Sequence, residues 1–230
     1  APRDGIAVVR IWQENLGKRI TAHVPVKDGL VVEEGDFELD GVAFPAAEIR
    51  LEFHDPGGEE GDAGGATFPT GRIVDLLEVP GVGNVEATLI NAGNPTVFVN
   101  AWALGLEGTE LQPQINGDQA VLARLESVRA HGAVAMGIAA TLEEATRVHR
   151  VTPRIAFVSP ARSYTAADGR TVQAGDLDLT ARIVSVGALH HAMTGTGAVA
   201  LAAAAAIPGT VVHRALKAGA TPPPHVFGPP

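Results

Sequence analysis

The sequence predicts an α+β protein with strands wrapped around a central helix. Three patterns carry that expectation. Strand-like segments are numerous and mostly joined by short turns, several of them carrying Asp-Gly. Helical periodicity is confined to a few segments. One of these, Ala198 to Ile207, is apolar all round and ends at Pro208-Gly209; a helix of that kind is normally enclosed by other elements.

The elements follow in order. Residues 6 to 80 read as β structure. Ile6 to Trp12 is a strand. Ile20 to Val26 and Leu30 to Val32 flank Lys27-Asp28-Gly29, a hairpin signal in which Asp-Gly supplies the positive φ values. Phe37-Glu38-Leu39 runs into a turn at Asp40-Gly41. Ala47 to Phe53 alternates apolar and charged residues, the mark of a half-buried strand. An acidic, glycine-rich loop from His54 to Gly65 follows, then a turn at Phe68-Pro69-Thr70-Gly71.

A second block begins near Val82. Val85 to Ile90 and Thr96 to Val99 are strands, separated by a turn at Asn91-Ala92-Gly93-Asn94-Pro95. Asp118 to His131 is a helix with Val121, Leu122, Leu125 and Val128 on one face. Thr141-Leu142-Glu143-Glu144 is a capping box opening a short helix. Arg154 to Val158 is a strand, Asp168-Gly169 turns the segment Thr165 to Val172, and Asp178 to Val186 is the last clear strand. His190 to Thr210 then presents a Gly195-Thr196-Gly197 turn leading into the Ala-rich helix. Ala is the best helix former, and Pro and Gly are the worst.

Composition narrows the functional classes. Hydrophobic residues make up 46% of the 230 residues but aromatics only 4%, so the core is built from Ala, Val, Leu and Ile. A net charge of −9 with no basic patch argues against nucleic acid, though a local site can still oppose the net charge and bind an anion. The absence of cysteine removes disulfides, thiolate metal sites and thiol nucleophiles within these residues. The longest apolar run is far shorter than the roughly 20 residues a bilayer requires, and residues 1–10 lack a signal-peptide pattern. The expectation is a cytoplasmic protein that engages neither nucleic acid nor membrane.

Four segments are candidate sites. At Thr194-Gly195-Thr196-Gly197, small residues let a carboxylate approach a helix N-terminus, where backbone N–H groups are unpaired and the dipole is positive. The same residues also suit a tight entry into a buried helix. Asn94 can offer its amide to a carboxylate, although Gly-Asn-Pro is equally good turn punctuation. His190-His191 precedes the anion site, so His190 is a candidate acid or base; a packing role in a loop is the plainer alternative. No spacing of ligands supports a metal, and the acidic loop lacks the EF-hand pattern.

Taken in order, several segments resemble the PrpF family of methylaconitate and methylitaconate isomerases and 4-oxalomesaconate tautomerases, related in fold to diaminopimelate epimerase. They are Gly17-Lys18-Arg19-Ile20 with Val24-Pro25, Gly35-Asp36-Phe37 through Asp40-Gly41-Val42, Pro69-Thr70-Gly71, Asn94-Pro95, and His191 through Ala198. The resemblance implies two β-barrel-like rolls, each around a central helix, with an active site in the cleft between them. Residues 1–82 would be the C-terminal part of the first domain and 83–230 the second, lacking its last strands. A barrel cut short leaves unpaired edges, which a homodimer can cover.

The resemblance further implies cofactor-independent proton transfer on a small unsaturated di- or tricarboxylate, with no metal, flavin or nicotinamide. The family's catalytic cysteine, in a Gly-Asn-Cys-Gly-Asn-type segment, and an upstream lysine have no counterpart here, so the chain is expected to begin after them. Diaminopimelate epimerase has a second catalytic cysteine where this chain has Thr194, which disfavours a two-cysteine racemase or epimerase. The implied site has Thr194 and His190 as catalytic candidates. Asn94, Gly195, Thr196 and Gly197 would hold substrate, with Thr70 and Asn15 contributing from the first-domain side. A non-catalytic carboxylate-binding module is the alternative.

Overall fold

A computed structural model describes residues 2–14, 17–39, 44–58 and 65–219. Strands β1 (Gly5–Gln13) and β2 (Lys18–Lys27) pair antiparallel, from Gly5↔Val26 to Gln13↔Lys18. On the other side of β2 lie β3 (Leu30–Val31) and β4 (Arg50–Phe53). The β2–β3 turn is the expected one: Asp28 (φ 54°) and Gly29 (φ 81°) both take left-handed values. The strand expected over Ala47–Phe53 is shorter. Only Arg50–Phe53 is ladder-paired, and Ile49 and Leu51 are half exposed at 49% and 50%. Alternation alone does not bury a face, and β4 lies at an edge of this small sheet. The Asp40-Gly41 turn and the centre of the acidic loop fall outside the described residues.

The larger sheet carries the core. In chain order its first members are β5 (Asp75–Val79), β6 (Gly83–Ala92), β7 (Asn94–Asn100) and β8 (Arg154–Pro160). After a small hairpin of β9 (Tyr164–Thr165) and β10 (Thr171–Val172) come β11 (Leu179–Ser185) and β12 (Ala188–Leu189). The order across this six-stranded sheet is β12-β11-β8-β7-β6-β5. Every pair is antiparallel except β7–β8. A parallel pair requires a long crossover. Here it contains α1 (Gln112–Asn116), α2 (Gln119–Ala135) and α3 (Leu142–Arg147).

The Thr141 cap expected from sequence is present, and Asp118 supplies a second. Asp118 accepts from the N–H groups of Ala120 and Val121 at the start of α2, and Thr141 accepts from Glu144 N at the start of α3. Arg129 of α2 binds Glu126 and the carbonyls of Ala145 and His149. It thereby ties the helices to the segment entering β8. The Asn91–Pro95 turn is tighter than expected: β6 and β7 run to within one residue of each other and bend at Gly93, φ 68°.

Two helices follow β12: α4 (Gly195–Ala206) and α5 (Val211–Ala215). Side chains alternate across a sheet, and both faces here are apolar. Leu89, Val97, Val99, Ile155 and Phe157 share one core with Val121, Leu125 and Val128 of α2. Ile90, Phe98, Ala156, Val158 and Ile183 share the other with Ala200, Leu201 and Ala204 of α4 and with α5. The sheet is therefore sandwiched between helices. The mixed α+β class is as expected, and among the described residues the Ala-rich helix packs on this sheet. That helix covers one sheet face, and Ala198, Val199, Ala202 and Ala203 on its other side are only half-buried. The expected boundary at 82 also falls inside the β5–β6 hairpin, because β5 is already hydrogen-bonded into the larger sheet. No helix of the described residues is long and apolar enough to cross a membrane.

Candidate functional site

At one end of the larger sheet, the β6–β7 bend, the start of β8 and the N-terminus of α4 meet. Strand alternation decides which side chains face α4. Phe98 and Ala156 are register partners in the core beneath α4. Two residues earlier on each strand, Thr96 and Arg154 are also partners, so they share that face, and Asn94 lies on it one further step along β7. The first turn of α4 lies directly over them: Arg154 Nη1 donates to Thr194 Oγ1 at 2.5 Å and to Thr196 Oγ1 at 3.2 Å.

Thr194 is the N-cap of α4, its Oγ1 accepting from Gly197 N at 3.2 Å. With Arg154 as a second donor, both lone pairs of that hydroxyl are engaged. Thr194 therefore cannot accept a substrate proton, but its O–H remains able to donate. Ala198 N is bound to Thr194 O. The N–H groups of Gly195 and Thr196 remain, as the first donors of a helix have no intrahelical acceptor. Asn94 Oδ1 and Arg154 Nε are buried without hydrogen-bond partners among the described residues. Thr96 is fully buried and donates to Asn94 O at 3.0 Å.

His190 lies between β12 and α4, anchored by its N–H to Ile183 O at 3.0 Å. Although its side chain is exposed at one edge, surrounding protein displaces water from it. Together with the nearby positive charge of Arg154, this lowers its pKa below the ordinary 6.5. The imidazole is consequently neutral over a wider pH range and can accept a proton near neutrality. The unfolded chain binds more protons in this interval. The stability tied to His190 is thus complete above about 6.5 and is lost as pH falls through the depressed value. An NMR titration is expected to place His190 below 6.5 and to move it upward in Arg154→Met.

The glycines of the turn divide into two roles. Gly197 is a packing residue and does not serve as an anion donor. A Cβ there would stand 2.5 Å from Thr194 Oγ1 and 2.6 Å from Ile183 Cδ1, and its N–H is already spent on the cap. This corrects the expectation that Gly197 grips a ligand directly. Gly195 has open space where a Cβ would sit. Gly197→Ala is expected to cost about 1–3 kcal/mol by overpacking and to displace the cap. Gly195→Ala should leave the melting temperature unchanged or slightly raised. Thermal melts of the two variants check the contrast.

The remaining candidates do not join this cluster. Thr70 donates to Asp75 Oδ2 at 2.8 Å, and Asp75 also accepts from Arg72. Its hydroxyl therefore serves a buried carboxylate at the start of β5. Asn15 lies outside the described residues. A cavity of about 500 Å³ on the small sheet, lined by Val8, Arg10, Arg19, Ile20, Thr21 and His54, contains none of the residues expected to bind substrate. Sequence reading missed Arg154. Its signal was a cation opening an otherwise apolar strand, Arg154-Ile155-Ala156-Phe157-Val158.

Comparison with known proteins gives a consistent answer. A 2-methyl-aconitate isomerase of Shewanella oneidensis is 57% identical over 219 residues, covering 95% of this chain and 55% of its own length. A 3-methylitaconate isomerase of Eubacterium barkeri is 36% identical over 210 residues, covering 91% of this chain and 54% of its own. The crystal structure of a methylitaconate-delta-isomerase superposes with a TM-score of 0.81 at 35% identity, over 94% of this chain and 55% of that one. The chain thus spans about half the length of the curated relatives it matches. The model of the PrpF protein family matches residues 1–222, and on that match the chain belongs to the PrpF family.

Proposed function

We propose that the protein carrying this chain is an isomerase or tautomerase of small unsaturated di- or tricarboxylates, of the methylaconitate, methylitaconate or oxalomesaconate type. The observation that carries this reading is the convergence of unspent donors at the α4 N-terminus. The N–H groups of Gly195 and Thr196, the hydroxyl proton of Thr194 and the cation of Arg154 meet there.

In this reading those donors hold one carboxylate of the substrate. Removal of an allylic proton places negative charge on the conjugated carboxylate, and oriented donors stabilise the dienolate as it forms. Reprotonation at another carbon moves the double bond or changes its geometry. Neutral His190 beside the site can take or return a proton. The principal acid and base are assigned to the cysteine- and lysine-bearing segments that the family resemblance implies, since this chain has no cysteine. Loss of one oriented donor typically costs about 3 kcal/mol, or on the order of 10²-fold in rate.

The test is exchange at carbon. The full-length protein, given a methylaconitate-type substrate in D₂O, is expected to incorporate deuterium at the allylic position. Replacing Gly195 by Pro, which removes one of the site's N–H groups at a first helical position where proline is tolerated and the space is open, should reduce the rate on the order of 10²-fold. An unchanged rate in that variant would reject this site. A melt stabilised by tricarboxylates with no exchange would instead support a binding module.

A further inference from the structure

Arg154 occupies an unusual setting for a half-buried cation. It stands beside the first turn of α4, where the helix dipole is itself positive and a further cation is unfavourable. Among the described residues no carboxylate forms an ion pair with it. Nη1 is spent on two hydroxyls, and among the described residues Nε is buried without an acceptor and Nη2 makes no hydrogen bond. Arg129 shows the contrast: it is more deeply buried, yet its Nε and both its Nη atoms reach Glu126 or backbone carbonyls. Arg129 is thus neutralised by Glu126, and the buried Arg182 stacks on Tyr164 and donates to the carbonyls of Glu110 and Ala181, whereas Arg154 has only hydroxyl acceptors among the described residues.

We propose that Arg154 is the specificity-determining cation of the carboxylate site, favouring ligands with two or three ionised carboxylates over monocarboxylates. The inference rests on the proposed carboxylate site and adds to it. The helix N-terminus supplies neutral donors and a partial positive charge, enough for one carboxylate. A full positive charge with an unused Nη2 beside it gives a second carboxylate a partner through charge-assisted hydrogen bonds. Nη1 meanwhile holds the threonine hydroxyls in place. A monocarboxylate leaves part of this positive charge uncompensated.

The experiment compares melts of this chain as wild type, Arg154→Met and Arg154→Lys, at fixed pH and ionic strength, with citrate or acetate as probe. Wild type is expected to be stabilised by citrate well beyond acetate. Without added carboxylate, Arg154→Met should melt close to wild type, because the loss of two hydrogen bonds to Thr194 and Thr196 is offset by removal of an uncompensated charge. Its citrate binding should weaken by about tenfold or more, and Arg154→Lys should fall between. If Arg154→Met fails to fold, Arg154→Lys decides: a citrate response there no weaker than in wild type would make Arg154 a structural clamp and overturn the proposal. Equal citrate response in wild type and Arg154→Met would overturn it as well. If wild type itself ignores citrate while its His190 and Gly195 resonances stay unmoved, the carboxylate site is rejected, a failure distinct from that of Arg154's role.

Discussion

Leu201→Ala is expected to destabilise the fold by about 2–5 kcal/mol, the range for removing a fully buried leucine side chain. Leu201 has no exposed surface and sits in the core between α4 and the sheet. Its neighbours on that face of the helix are Ala200, Ala204 and Ala205. Such small side chains cannot reach into the vacated space, so the site has little capacity to collapse. Leu201 is the one large side chain by which α4 holds its buried face to the sheet. Its loss should therefore loosen the helix whose first turn presents Gly195 and Thr196. Urea unfolding is expected to show a lower midpoint with an unchanged slope. Ligand-induced stabilisation by tricarboxylates should fall along with it. A change below about 1 kcal/mol would show that α4 is held mainly by its caps and by α5.

Gly93→Ala is expected to cost about 2–4 kcal/mol through two separable effects. Gly93 has φ 68°, a left-handed value that an alanine adopts at a cost of about 1–2 kcal/mol. An added Cβ would also lie 2.8 Å from Val199 Cγ1 and 3.1 Å from Thr196 O, pressing the β6–β7 bend into α4. Because Gly93 N also donates to Pro56 O, the strain would extend to the preceding loop. Combining Gly93→Ala with Val199→Ala should recover the steric part and leave the backbone part. Calorimetric melts of the single and double variants separate them. A double variant no more stable than Gly93→Ala alone would show that the contact with Val199 contributes nothing.

Much of the local structure was legible in the sequence because it depends on neighbours along the chain. Asp28-Gly29 makes its hairpin turn by backbone preference. Thr141 caps its helix because a short oxygen-bearing side chain reaches the N–H group three residues on. The candidate site was legible in part for the same reason. Thr194, Gly195 and Thr196 announce a helix N-terminus, and Asn94 marks a bend. Arg154 was not visible as a site residue. Its partners Thr194 and Thr196 are 40 and 42 residues away in sequence, and an arginine opening a strand is unremarkable until the register places it beneath α4. Thr70 was misleading for the converse reason: its turn was recognisable, but Asp75 claims its hydroxyl.

The sequence by itself determined the α+β class, the order of most elements, their caps and turns, and the family pattern of His191 through Ala198, because propensity and periodicity act over a few residues. Only the tertiary structure decided how those elements pack. The all-apolar helix could equally have been enclosed by strands or laid on a sheet. Both sheet faces are apolar, so burying them requires a helix layer on each side. The β7–β8 crossover puts α2 on one side and leaves the other to α4 and α5. That arrangement brings Asn94, Arg154, Thr194, Thr196 and His190 to one end of the sheet, and it leaves Arg154 charged, half-buried and without a carboxylate among the described residues.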